Sequence, residues 1–268
     1  MVENILRALR SGRLSVPEAA RILREGSLPG GAHARFDLRR RERSGIPEIV
    51  LAEGKSPEDL GALLQGLHAA GEPAIISRLD RRSHRLLERL RKEGLPLGFL
   101  PDARLAVLGR ADLERNLTGR TAAVLTAGTA DARVAAEVEG TLRLLGARVV
   151  RADDVGVAGL HRLLRELPRL QRAHPDVYIV CAGREGALAT VVAGLADRPV
   201  IGVPTSVGYG RGGKGEAALL SMLQSCAPLA VVNIDAGIPA ALVAAQILRA
   251  AREDPRRGPG GPKRPRRP

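Results

Sequence analysis

Cys226 is one of only two cysteines in the chain. It lies in the stretch of residues 199–237, PVIGVPTSVGYGRGGKGEAALLSMLQSCAPLAVVNIDAG. There an apolar run enters a glycine-rich loop, a helical segment follows, and Cys226 precedes a second apolar run. A thiol at such a turn is accessible. Where an arginine or a helix end lies beside such a thiol, the thiolate is favoured and can do covalent chemistry. Cys181 instead ends an apolar run, which predicts a buried, inert thiol.

Four loops each follow an apolar run of strand length and each carries candidate groups. The first is Ala127-Gly128-Thr129-Ala130-Asp131. Its small residues let a phosphate approach backbone N–H groups at a helix start, and Asp131 is a candidate proton carrier or an ordinary N-cap. The second runs from Asp153 to Arg162. Its His161-Arg162 pair suits an anion and a proton shuttle, although a surface His opening the next helix reads equally well. The third is Ala182-Gly183-Arg184-Glu185-Gly186-Ala187. Glu185 among small residues is a candidate base or ribose-hydroxyl acceptor, or only compensates a helix dipole. The fourth, Thr205 to Gly215, includes Ser206, Gly208, Tyr209 and Gly210. It lacks the Ser or Thr after Lys214 that a P-loop needs, and is read as a lid or phosphate cradle.

These loops need a scaffold that gathers them. From Thr121 onward, apolar runs at 122–125, 147–150, 177–181, 200–203 and 230–234 mostly alternate with helical segments of about a dozen residues. That alternation predicts an α/β fold with a doubly wound parallel sheet, flanked by helices on both faces. Ligands in such sheets bind beyond the carboxyl ends of the strands. Residues 1–115 read as a smaller, separate α+β domain, and 120–252 as the catalytic domain. In the first, Ser15-Val16-Pro17-Glu18 predicts a capping box. Residues 26–34 read as a loop, 46–51 as a strand, and Ser56-Pro57 as a helix start.

Composition limits the partners. The net charge is +13, but the last fourteen residues carry six basic side chains and no acid. Subtracting those six leaves +7 on the body. Residues 253–268 read as a disordered basic tail. Only 1% of the chain is aromatic, so a base-stacking platform is not expected. Two cysteines make no disulfide framework, and a reducing cytoplasm is the simplest setting. No apolar run approaches the roughly 18 residues of a membrane span, and the amino terminus lacks the apolar run of a signal peptide.

Residues 121–245 resemble the superfamily of aminoimidazole ribonucleotide carboxylases and mutases of purine synthesis. The segments that carry the likeness are 127–131, His161-Arg162, Cys181-Ala182-Gly183 and 198–204. A nearer resemblance is to the LarB-type branch, which serves nickel-pincer cofactor synthesis. It extends to Gly45-Ile46-Pro47-Glu48 and Glu53-Gly54-Lys55, and its most specific words are DVGVAGLHR (154–162), PTSVGYG (204–210), SCA (225–227) and VNID (232–235). The flavodoxin-like fold of that superfamily is therefore expected for the catalytic domain.

The resemblance implies carboxylation of the pyridinium ring of nicotinic acid adenine dinucleotide at C5, with CO2 or bicarbonate as co-substrate. It also implies hydrolysis of the phosphoanhydride, giving AMP and pyridinium-3,5-biscarboxylic acid mononucleotide. Cys226 would add to the ring. Glu185, Asp131 or His161 would take the C5 proton. Arg162 and loop amides around Gly128, Thr129, Gly183, Gly186, Thr205, Ser206, Gly208, Tyr209 and Gly210 would hold the substrate. Mg²⁺ near Asp154 would assist hydrolysis, and no bound organic cofactor is expected. A homo-oligomer, commonly an octamer, is also implied. The chain departs from the branch at Ala130 (usually Ser), Arg184 (usually Met), Ala189 (usually Pro), Ala236 (usually Asn) and the basic run Arg211–Lys214. Two other readings stand beside this one: an aminoimidazole ribonucleotide mutase, and a non-catalytic nucleic-acid-binding or scaffold protein.

Overall fold

A computed structural model describes residues 2–29, 35–40, 43, 46, 48–109 and 117–252. Gly45, Pro47 and the basic tail lie outside them. The chain opens with helices α1 (Val2–Arg10) and α2 (Val16–Glu25). Helix α2 starts at the expected capping box: Ser15 and Glu18 each accept from the other's backbone N–H. It ends at Gly26, whose φ of 63° is the left-handed cap glycine favours.

Part of the expected 26–34 loop is instead a hairpin of β1 (Ser27–Pro29) and β2 (Arg35–Asp37). Leu28 opposes Phe36 in that register and both are buried, so apolar pairing drives it.

A four-stranded mixed sheet follows. It comprises β3 (Ile49–Leu51), β4 (Ala74–Ser77), β5 (Leu97–Leu100) and β6 (Leu105–Leu108), in the order β3-β4-β6-β5. Helices α3 (Pro57–Ala70) and α4 (Arg81–Lys92) connect its strands. The strand predicted at 46–51 is confined to its last three residues.

The second sheet holds β7 (Thr121–Thr126), β8 (Arg148–Ala152), β9 (Val177–Ala182), β10 (Val200–Pro204) and β11 (Ala230–Val231). Every pairing is parallel and the order is β8-β7-β9-β10-β11. That is the flavodoxin-like order, with its topological switch between β7 and β9. The crossovers carry α5 (Ala132–Leu144), α6 (Leu160–Arg172), α7 (Ala187–Leu195) and α8 (Glu216–Leu223), and α9 (Gly237–Arg252) closes the described chain. Every residue of β7, β9 and β10 is buried, and all but Thr121 and Thr126 at the ends of β7 are apolar, as burial on both faces favours.

The two sheets share one core. Ile75, Ala103, Leu105 and Val107 of the first unit belong to the same buried cluster as Val134, Ala135, Val138 and Leu142 of α5. Gly140 makes the approach possible: a Cβ there would lie 3.0 Å from Leu105 and 3.1 Å from Ala103. The amino-terminal α+β unit therefore packs directly on α5.

Candidate active site

The carboxyl ends of β7, β8, β9 and β10 converge as the parallel sheet requires. Thr205 N–H donates to Ala182 O, and Ala127 N–H donates to Cys181 O. Gly156 N–H donates to Ala127 O at 2.9 Å, where a Cβ on Gly156 would come within 2.6 Å of that oxygen. Gly183 is tighter still. Its Cβ would meet Val207 O at 2.3 Å and Thr205 Oγ1 at 2.8 Å, so only glycine fits.

Beyond these ends lies a cavity of about 350 Å³. Gly128, Asp131, Gly156, Arg162, Gly183 and Glu185 line it, with Arg184, Val207 and several alanines. Its size falls in the usual range for small-molecule sites, about 300–1,000 Å³.

Asp131 is the fixed point of this cavity. It is 4% exposed, with one carboxyl oxygen accepting from Thr205 Oγ1 at 2.6 Å and the other from Gly128 N–H at 2.8 Å. The carboxyl group thus turns back toward its own loop and makes no side-chain cap on α5. Thr205 is fully buried and acts through Asp131 rather than on the cavity wall.

Glu185 stands exposed at the rim. Beside it, Arg184 lies 4.9 Å from the centre of the Tyr209 ring and pulls the phenol below its ordinary pKa by a hydrogen bond. Tyr209 itself is 80% exposed. Arg162 lines the cavity and pairs with Asp154.

Other candidates fall outside. His161 is exposed in the first turn of α6 and does not line the cavity, so only Glu185 and Asp131 of the three proton carriers do. Thr129, Gly186, Ser206, Gly208, Tyr209 and Gly210 are likewise not on its wall. Ser206 N–H donates instead to Asp235 Oδ1 at 2.9 Å, tying the glycine-rich loop to the start of α9. The residues around Asp154 do not fit a metal cage. Its carboxylate is taken by Arg162, and no three His, Cys, Asp or Glu gather anywhere among the described residues.

The two thiols differ as expected in exposure, Cys181 buried and Cys226 exposed. Burial, helped by the nearby Asp131 charge, pushes the Cys181 pKa up. Cys226, however, is not beside the cavity of its own chain. It follows α8, which runs back from the loop end of the sheet, and it precedes Ala230, the partner of Ile201 early in β10. The level of Ile201 lies on the order of 13 Å below that of Thr205 along the strand. A residue entering a parallel strand sits at the sheet end opposite the one where strands discharge their loops. The sequence reading missed this polarity. It also missed the close approaches of Gly156 and Gly183, which depend on neighbours distant in the chain.

Residues 121–257 match the AIR carboxylase family, and residues 30–110 match the LarB/PurE-like N-terminal domain. An uncharacterized protein of Methanocaldococcus jannaschii, MJ0165, is 33% identical over 253 residues, covering 92% of this chain and 97% of the relative. The N5-carboxyaminoimidazole ribonucleotide mutase of the same organism is 34% identical over 130 residues, 47% of this chain and 76% of the mutase. A probable N5-carboxyaminoimidazole ribonucleotide mutase of Methanothermobacter thermautotrophicus is 34% identical over 35% of this chain and 29% of its own. With its carboxylase-type sheet and its amino-terminal unit both matched, the chain belongs to the AIR carboxylase family, as a LarB-type member of the PurE-like superfamily.

Proposed function

We propose that this protein carboxylates the pyridinium ring of nicotinic acid adenine dinucleotide at C5 and hydrolyses the phosphoanhydride. The products are AMP and pyridinium-3,5-biscarboxylic acid mononucleotide, a precursor of the nickel-pincer cofactor. The observation that carries this reading is the pair of family matches on one chain together with the exposed thiol of Cys226.

The chemistry needs a nucleophile because a pyridinium carbon does not attack CO2. Addition of the Cys226 thiolate gives a dihydropyridine whose enamine carbon C5 attacks CO2. A base then removes the C5 proton, and expulsion of the thiolate restores the aromatic ring. Glu185 and Asp131, both on the cavity wall, are the candidate bases. Arg162 and the loop amides around Gly128 and Gly183 hold the phosphates. Water cleaves the anhydride, and no step is assigned to a metal ion. Two free cysteines suit a reducing cytoplasm.

The opposed positions of cavity and thiol favour a composite site in which Cys226 comes from a second copy of the chain. Symmetric oligomers supply such composite sites. Leu220 and Leu223 of α8, close to Cys226 in sequence, are exposed and suit that contact.

The test incubates the protein with nicotinic acid adenine dinucleotide, bicarbonate and Mg²⁺ and follows products by mass. The wild type should release AMP and the carboxylated mononucleotide, and Cys226→Ala neither. Normal turnover by Cys226→Ala would overturn the covalent step, and mutase activity on carboxyaminoimidazole ribonucleotide alone would overturn the substrate. Co-expressing Cys226→Ala with Arg162→Gln should recover on the order of a quarter of the activity by random pairing. No recovery would show that each thiol serves its own chain.

A further inference from the structure

A second, larger cavity of about 650 Å³ lies where the amino-terminal unit meets α5. Its floor is apolar, made by Leu79, Pro101 and Leu105. Its walls carry four guanidinium groups: Arg81 and Arg85 from α4, Arg104 from the turn before β6, and Arg133 from the first turn of α5.

The charges of this cleft are offset only in part: Glu137 acts on Arg104 and Arg133 from a distance, and Asp80 acts on Arg104. Among the described residues, no side-chain hydrogen bond or ion pair engages Arg81, Arg85 or Arg133. Among the described residues, Asp80 is the one acid on the wall. Its carboxylate is spent capping α4, accepting from Ser83 N–H and Ser83 Oγ at 2.7 Å each. Arg104 is held by carbonyls instead of a carboxylate. It donates from Nε to Leu79 O at 2.7 Å, and Leu79 N–H donates back to Arg104 O at 3.0 Å. A φ of 51° fixes its backbone in the left-handed region. The result is a concave, partly apolar surface with a preorganised positive field, which concentrates anions.

We propose that this cleft is a binding site for a phosphate monoester of nucleotide size, with the phosphate among the arginines and the nucleoside on Leu79, Pro101 and Leu105. The site is distinct from the candidate active cavity and does not depend on the carboxylase reading. Arg133, in the first turn of α5, lies two residues past Asp131, which flanks the start of that helix. A ligand drawn to Arg133 therefore joins the amino-terminal unit to the helix that begins at the active cavity.

The experiment is calorimetric titration of the full chain with AMP, inorganic phosphate and adenosine. AMP should bind saturably, phosphate should compete, and adenosine should bind at least ten-fold more weakly. Raising the salt should weaken AMP. The triple variant Arg81→Gln/Arg85→Gln/Arg133→Gln alters only exposed side chains. It should lose AMP affinity at least ten-fold with its unfolding transition unchanged. The proposed function places product AMP in the active cavity as well, so the comparison is made in the Arg162→Gln background, where AMP binding should persist and the triple substitution should remove it. AMP affinity unchanged by the triple substitution in that background, equal binding of adenosine, or no AMP binding by Arg162→Gln alone would each overturn the proposal.

Discussion

Asp131 accepts from a residue 74 positions away, and no local pattern announces that partnership. Its position after an apolar run and before a helix is legible in the sequence, which left an N-cap and a catalytic role equally open. The fold resolves the ambiguity, because β10 delivers Thr205 to the same sheet edge. Hydrogen bonds to charged groups contribute about 1.5–3 kcal/mol, and a buried group stripped of its partner keeps its desolvation cost. Thr205→Val should therefore lower the unfolding free energy by about 1.5–3 kcal/mol in denaturant titrations. An unchanged midpoint would mean that the Thr205 bond carries no weight.

At the scale of elements, the alternation of apolar runs and helices made the parallel sheet readable, and each of its five strands falls on one of the runs, β11 on only the first two residues of its run. Two things were not readable. Strands β5 and β6 are short and packed against a neighbouring unit, so they lack the two-residue alternation of a half-exposed strand. The sheet end at which Cys226 sits depends on direction, and a linear string gives order without direction. The same contrast separates the thiols: Cys181 is inside β9, and Cys226 is on a surface turn. Alkylation of the native protein should label one thiol, at Cys226, and unfolding should expose the second. Two labels on the folded chain would contradict the burial of β9.

At the scale of the molecule, the contact between the two units encloses charge as well as apolar surface. Arg78, after β4, reaches across to Asp235 O at 2.9 Å, bonds Glu53 at 3.0 Å and lies 4.0 Å from Glu137 of α5. Burial is the largest influence on Glu137 and raises its pKa above 4.5 despite Arg78. The folded chain then holds that proton more tightly than the unfolded chain. The contribution to stability is full below pH 4.5 and is lost as pH rises through the folded value. Glu137→Gln cannot ionise. It should match the wild type in acid and exceed it in unfolding free energy at pH 8. A variant less stable at pH 8 would mean that the Arg78 pairing outweighs the cost of burial.

The scarcity of aromatic residues has an optical consequence. The chain has no tryptophan and two tyrosines. Tyr178 is fully enclosed in β9, while Tyr209 stands in solvent against Arg184 at the cavity rim. Near-ultraviolet signals therefore come from two separate places. The ring in the sheet reports whether the parallel core is intact, and the ring at the rim reports what arrives beside Arg184. A mutant lacking either tyrosine gives the spectrum of the other alone, so folding and occupancy can be followed in one cuvette without an added label.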